Sequence, residues 1–141
     1  MENDLITDIK QAQISGYDGL TVRGKAYYRE KCKELIKDGE LRRGHLQTLL
    51  LWADHYDRYW RLRKEVEAEG ETYIAHNRQG EVLIKVNPKV DMRDKAEAKA
   101  TKLLTEFGAT LRQSRKLGKE KPAPKSDLDK WMENNGNDNE N

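Results

Sequence analysis

The stretch GLTVRGKA, Gly19 to Ala26, places a glycine, then four intervening residues, before Gly24-Lys25. It stands one residue type away from the phosphate loop G-x-x-x-x-G-K-[ST]. In that loop backbone amides cradle phosphates, the lysine reaches the terminal phosphates, and the hydroxyl ligates magnesium. Here the hydroxyl position is Ala26, which holds no metal. The preceding QAQISGYD is polar and short of the β-branched residues of the buried strand such a loop follows. The stretch therefore reads as a linker glycine followed by the first turn of a helix, and no nucleotide cofactor is expected.

Other residues that could do chemistry are sparse. His45, His55 and His76 lack the H-E-x-x-H spacing, and Cys32 is alone. One cysteine builds neither a disulfide framework nor a structural zinc site. Cys32 suits a packed thiol in a reducing cytoplasm. The nucleophile motif G-x-S-x-G is absent. No catalytic residue and no metal site is assigned, and the expected activity is binding.

Charge says more. The chain has 141 residues, 37% of them charged and 35% hydrophobic, for a net charge of +2. That is lean for a monomer that must bury its own core, and it suits a helical protein that completes its core by assembling. From Arg23 to Arg43 there are eight basic and four acidic residues; from Thr110 to Lys125 there are six and one. From Ser126 to Asn141 the balance reverses to one and five. Basic segments before an acidic end fit a protein that meets nucleic acid and a second protein.

The first DNA-binding candidate is Arg23, Lys25, Arg29, Lys33, Arg42 and Arg43, each phosphate contact adding to salt dependence. Glu30, Glu34 and Glu40 interleave with these cations, so a solvated charged face is the competing reading. The second candidate is Arg112, Arg115, Lys116, Lys119 and Lys121, against a plain linker.

These residues need elements to position them. Residues 1–20 are mostly polar and are read as a flexible segment. Thr21 is a plausible N-cap for a helix running to about Lys37, with Val22, Ala26, Tyr27, Cys32, Leu35 and Ile36 apolar and Gly39 ending it. This helix and the next satisfy a loose helix-turn-helix outline. A long helix from about Glu40 to Glu69 carries two apolar stripes: Leu46, Leu49, Leu50, Ala53 and Trp60; and Trp52, Tyr56, Tyr59 and Val66. Apolar residues on two sides need two sets of neighbours, the second most simply another copy of the chain. Leu49, Trp52, Tyr56, Tyr59 and Trp60 are therefore expected at an oligomer interface, with stacking on bases as the alternative for the aromatics.

TYIAH and EVLIKV flank the turn NRQG and predict a β-hairpin near 72–87. Pro88 opens a third helix carrying Met92, Ala96, Ala100, Leu103, Leu104 and Phe107, which Gly108 is expected to close. ATLRQSRKLGKEK then predicts one more short helix. Residues 119–141 read as a disordered tail with a short docking helix near 127–133, presenting Leu128, Trp131 and Met132. The fold class is mainly α, with a helix-turn-helix-like pair, a long central helix, one β-hairpin and a C-terminal helix. No apolar run reaches the roughly 20 residues of a membrane span.

The order of these features resembles the small subunit of phage terminase, of the type common in siphophages. The residues carrying the resemblance lie between about 20 and 118. They are LIKDGEL, then LLLWADHYDRYWRLRKEVEAEG with Trp52, Tyr56 and Tyr59, Gly80 in the hairpin, Asn87-Pro88, and the closing FGATLRQSRKLG with Phe107-Gly108 and Arg115. Leu111 stands where the family carries a proline, and the apolar-proline opening before the first helix is missing. The resemblance implies a genome-packaging protein of the host cytoplasm that recognises double-stranded viral DNA and assembles as a ring. It also implies regulation of the large subunit, which carries the ATPase and nuclease, with the portal as a further partner and no membrane role. A helix-turn-helix transcription regulator is the alternative, and would more often be a dimer reading a palindrome.

Overall fold

The computed structural model describes residues 4–120, with side chains through Leu117. The chain divides after Phe107 into two units, residues 1–107 and 108–141. Helices α1 (Val22–Lys37) and α2 (Leu46–Glu69) are followed by strands β1 (Thr72–His76) and β2 (Val82–Val86), then helix α3 (Pro88–Glu120).

Helix α1 starts where the sequence marks it. Thr21 has extended backbone angles, and its hydroxyl accepts the Gly24 N–H at 3.0 Å. At the other end Gly39 takes a φ of +69°, which lets the Glu40 N–H reach back to the Leu35 carbonyl at 2.9 Å. The long helix begins later than expected. A 3-10 turn over Arg43–His45 precedes Leu46, where the sequence reading begins it near Glu40.

α1 and α2 lie antiparallel. Tyr27 packs edge-on against Tyr56 at 4.8 Å, and Lys31 sits over Trp52 at 5.9 Å. The Thr21 hydroxyl donates to Asp57 Oδ2 at 2.8 Å. The buried side of α1 is Gly24, Tyr28, Cys32 and Leu35, so Val22 and Ala26, expected on its apolar side, face solvent. The Tyr28 hydroxyl donates to the Ala12 carbonyl, which ties the buried side of the helix to the preceding segment.

That bond also corrects the picture of residues 4–20. Ile6 and Ala12 are buried, the Ile6 N–H donates to the Leu41 carbonyl at 2.8 Å, and Leu5 bridges to Arg42. This segment lies over the α1–α2 pair instead of hanging free of it. Burial of Ile6 on Leu41 supplies apolar area that the two helices alone lack.

α3 folds back along α2 within the first unit. Lys89 Nζ meets Glu69 at 2.7 Å near one end, and Phe107 meets the His45 ring edge-on at 5.1 Å near the other. Ala96, Ala100 and Phe107 are buried, and the small alanines allow close approach. Gly108 does not end α3: the helix runs on to Glu120, so the stretch from Ala109 expected as a separate short helix is part of it. An interior glycine costs roughly 1 kcal/mol against alanine, which the helix-forming residues on both sides tolerate.

Asn87 clasps the end of α2 to the base of the hairpin. Its amide donates to the Gly70 carbonyl at 3.0 Å, and its Oδ1 accepts the Lys89 N–H at 3.1 Å at the start of α3. The hairpin pairs antiparallel, Thr72 with Val86 and His76 with Val82. Gly80, with a φ of +82°, makes the turn.

His45 accepts the Arg42 N–H on Nδ1 at 3.1 Å. Burial, and then the Arg42 charge, hold His45 below its ordinary 6.5; burial and then Arg58 do the same for His55. The folded chain therefore prefers both neutral, while the unfolded chain takes up protons below 6.5. Stability is full above that pH and falls as the pH drops through the lower folded-state values. Thermal melts should show a lower midpoint at about pH 5 than at about pH 7.5, and His45→Gln should shrink the difference. A flat profile would contradict this.

Candidate nucleic-acid interface

The first basic candidate is divided by the fold. Arg29 and Lys33 are exposed on α1, about 100° round the helix from the buried Tyr28 and Cys32 at 3.6 residues per turn, and Lys37 follows one turn later. All three lack a hydrogen-bond or ion-pair partner among the described residues. Unpaired cations stacked at i, i+4 and i+8 form a row about 12 Å long at the usual rise per residue. Glu30 and Glu34 flank the row, and Glu34 is drawn to Lys31 at 3.7 Å.

The other members lie elsewhere. Lys25 turns to Asp18 at 4.0 Å and over the Tyr17 ring at 5.4 Å, so it is not on the row. Arg23 faces the groove between α1 and α2. Arg42 and Arg43 are exposed in the connection between the two helices. In the second unit Arg112, Arg115 and Lys116 are exposed on α3. Lys121, Leu128, Trp131 and Met132 lie outside the described residues, and the Lys119 side chain is likewise not described.

Lys25 takes no part in a phosphate loop. The Gly24 amide is held by the Thr21 hydroxyl, and a 3-10 turn over Tyr17–Gly19, not a strand, leads into the stretch. Among the described residues no group of His, Cys, Asp or Glu is placed to hold a metal ion. No helix among them is long and apolar enough to cross a membrane.

The expected interface residues also separate. Leu49 is buried in the chain's own core. Trp52, Tyr56, Tyr59 and Trp60 are half-buried and form a surface row. Trp52 stacks on Tyr56 at 5.1 Å, and Trp60 meets Tyr56 at 6.2 Å and Tyr59 at 5.3 Å. Trp60 therefore leaves the stripe the sequence gives it, while Val66 and Leu62 go inside. The reason is length: α1 has 16 residues and α2 has 24. Thr21 already stands beside Asp57, so beyond that level α1 no longer covers α2.

Sequence reasoning missed Asp57. Its side chain is 2% exposed and accepts from Thr21 and, at 3.1 Å, from Arg61 Nε. Oδ1 of the same carboxylate has no partner. Aspartate is seldom buried, and nothing within one turn of it announces a cap 36 residues away.

The hairpin is the largest uncovered apolar feature. Ile74 and Ile84 are direct cross-strand partners, 69% and 76% exposed, with Val82 and Val86 on the same face. That face, completed by Thr72 and His76, carries no lysine, arginine, aspartate or glutamate. A two-stranded hairpin is marginal in water without something to pack on.

The family model for the small subunit of phage terminase matches residues 24–124. No curated protein and no solved structure matches the chain.

Proposed function

This chain belongs to the phage terminase small-subunit family, and from that premise we propose that it binds double-stranded viral DNA, self-assembles, and presents the DNA to the large subunit. The observation that carries the DNA reading is the unpartnered row Arg29, Lys33 and Lys37 on the outer side of α1. Cations without internal partners keep their charge available for phosphates, and each contact releases counterions. Arg43 in the first unit, and separately the α3 cations Arg112 and Lys116 in the second, are also without partners among the described residues and are further candidates for phosphate contact.

Assembly is carried by the uncharged hairpin face. The charged backbone of a nucleic acid is a poor match for an uncharged face of four exposed aliphatic side chains, whereas the same face of a second copy matches it. Nothing in the chemistry calls for a covalent step, so the protein acts by binding and positioning.

The DNA assignment is tested by fluorescence anisotropy of labelled duplex across a salt series. Replacing Arg29 and Lys33 together by alanine should reduce the slope of log K against log salt by about 1.8, at about 0.9 per phosphate contact. Affinity at low salt should fall with it. An unchanged slope would remove α1 from the DNA contact.

A further inference from the structure

At the level where α1 begins and α2 runs on, the two helices leave an open groove of about 430 Å³. Tyr27, Tyr56 and Trp60 line it with half-exposed rings, and Arg23, Arg63, Lys64 and Glu67 complete it. The cations divide into two kinds. Arg63 is engaged: its Nε meets Glu67 at 3.2 Å, and its guanidinium lies 5.1 Å over the Trp60 ring. Arg23 and Lys64 have no hydrogen-bond or ion-pair partner among the described residues. Glu67, the one acid lining the groove, is taken up by Arg63.

The groove thus joins aromatic surface to two uncommitted cations. Its volume falls within the roughly 300–1,000 Å³ of small-ligand pockets, too small for a duplex to enter. An aliphatic partner would use the rings and leave Arg23 and Lys64 unpaired. A duplex phosphate would use the cations and leave the rings bare, because paired bases are stacked inside the helix. An unpaired nucleotide uses both, its base on an aromatic ring and its phosphates on the cations.

We propose that the groove between α1 and α2 binds unpaired nucleotides of single-stranded DNA, with the base on Tyr27, Tyr56 and Trp60 and the flanking phosphates on Arg23 and Lys64. The inference rests on the reading of the protein as DNA-binding and adds a second mode to it. Duplex meets the outer row of α1, and strand that is open or cut meets the groove. The sequence reading gives Tyr56 and Trp60 to contact between copies, with stacking on bases as the alternative; the free cations beside them favour the alternative.

The test uses the full chain, a labelled oligothymidylate and a labelled duplex of equal length. Trp60→Leu should weaken oligothymidylate binding about tenfold or more, the usual size of one lost base stack, and leave duplex affinity unchanged. Lys64→Gln is the control that cannot be blamed on folding, since Lys64 is exposed and unpartnered; it should weaken oligothymidylate binding several-fold. Undiminished oligothymidylate binding in both variants would overturn the proposal, as would an equal loss on duplex. A drop in the mass of the assembly on Trp60→Leu would overturn it too, returning the row to contact between copies. If the wild-type chain binds duplex but not oligothymidylate, this inference alone falls. If it binds neither, the DNA-binding function falls as well.

Discussion

Asp57→Ala lowers the unfolding free energy by about 2–3 kcal/mol, the range for a buried hydrogen bond to a charged group. The carboxylate joins two helices through one hydroxyl. Thr21 Oγ1 donates to Asp57 at 2.8 Å and accepts the Gly24 N–H at 3.0 Å, so the cap of α1 is held in place from α2. Removing the carboxylate leaves the Thr21 proton without its acceptor and loosens the first turn of α1. Arg61 is half-exposed and returns to water at little cost. The unpartnered Oδ1 already costs the folded state something, which keeps the expected loss from being larger. Thr21→Val should cost a similar amount, because it strips the cap and leaves the Asp57 charge buried. Denaturant titrations at one fixed protein concentration measure both variants, since the proposed self-assembly would also contribute to apparent stability. Losses below about 0.5 kcal/mol, the range of ordinary surface changes, would mean that apolar packing alone holds α1 to α2.

If the hairpin face joins copies as proposed, Ile74→Glu combined with Ile84→Lys should separate them while preserving the hairpin. The two residues are direct cross-strand partners, so the new charges attract each other and the hairpin keeps its pairing. The face they occupy becomes polar. Burying two isoleucines against a neighbour contributes about 4 kcal/mol, near a thousandfold in the association constant. Sedimentation velocity should show the variant moving to a single chain of 16.4 kDa at concentrations where the parent protein stays assembled. Circular dichroism should be unchanged, since the altered side chains contact solvent in the isolated chain. An unchanged sedimentation coefficient would place the contact between copies elsewhere.

Much of the fold was legible because local chemistry sets it. Thr21 and Gly39 mark both ends of α1, and NRQG with Asn87-Pro88 marks the hairpin and the start of α3. What was not legible depends on distant partners. The buried side of α1 is tied through Tyr28 to the Ala12 carbonyl, in a segment whose polarity suggested it would not pack. Val22 and Ala26 look as apolar as Cys32 in the sequence, and the packing of Gly24, Tyr28, Cys32 and Leu35 leaves the first two facing solvent. Gly108 reads as a stop, yet glycine only weakens a helix whose neighbours favour it. The basic candidate at residues 23–43 was found as a group, but its division into an outer row, a groove residue and a surface pair follows from helix phase and from the difference in length between α1 and α2. Arg63 and Lys64 carry a weak signal, cations three and four residues after Trp60 on a helix, which becomes meaningful only beside Arg23 and Tyr27.

Further copies of this chain are proposed to cover the exposed hairpin face. Light scattering of the purified protein tests this most directly. A mass of many 16.4 kDa chains is the predicted result. A monomer, or a dimer that does not grow with concentration, would contradict it and leave the face of Ile74 and Ile84 in need of a different partner.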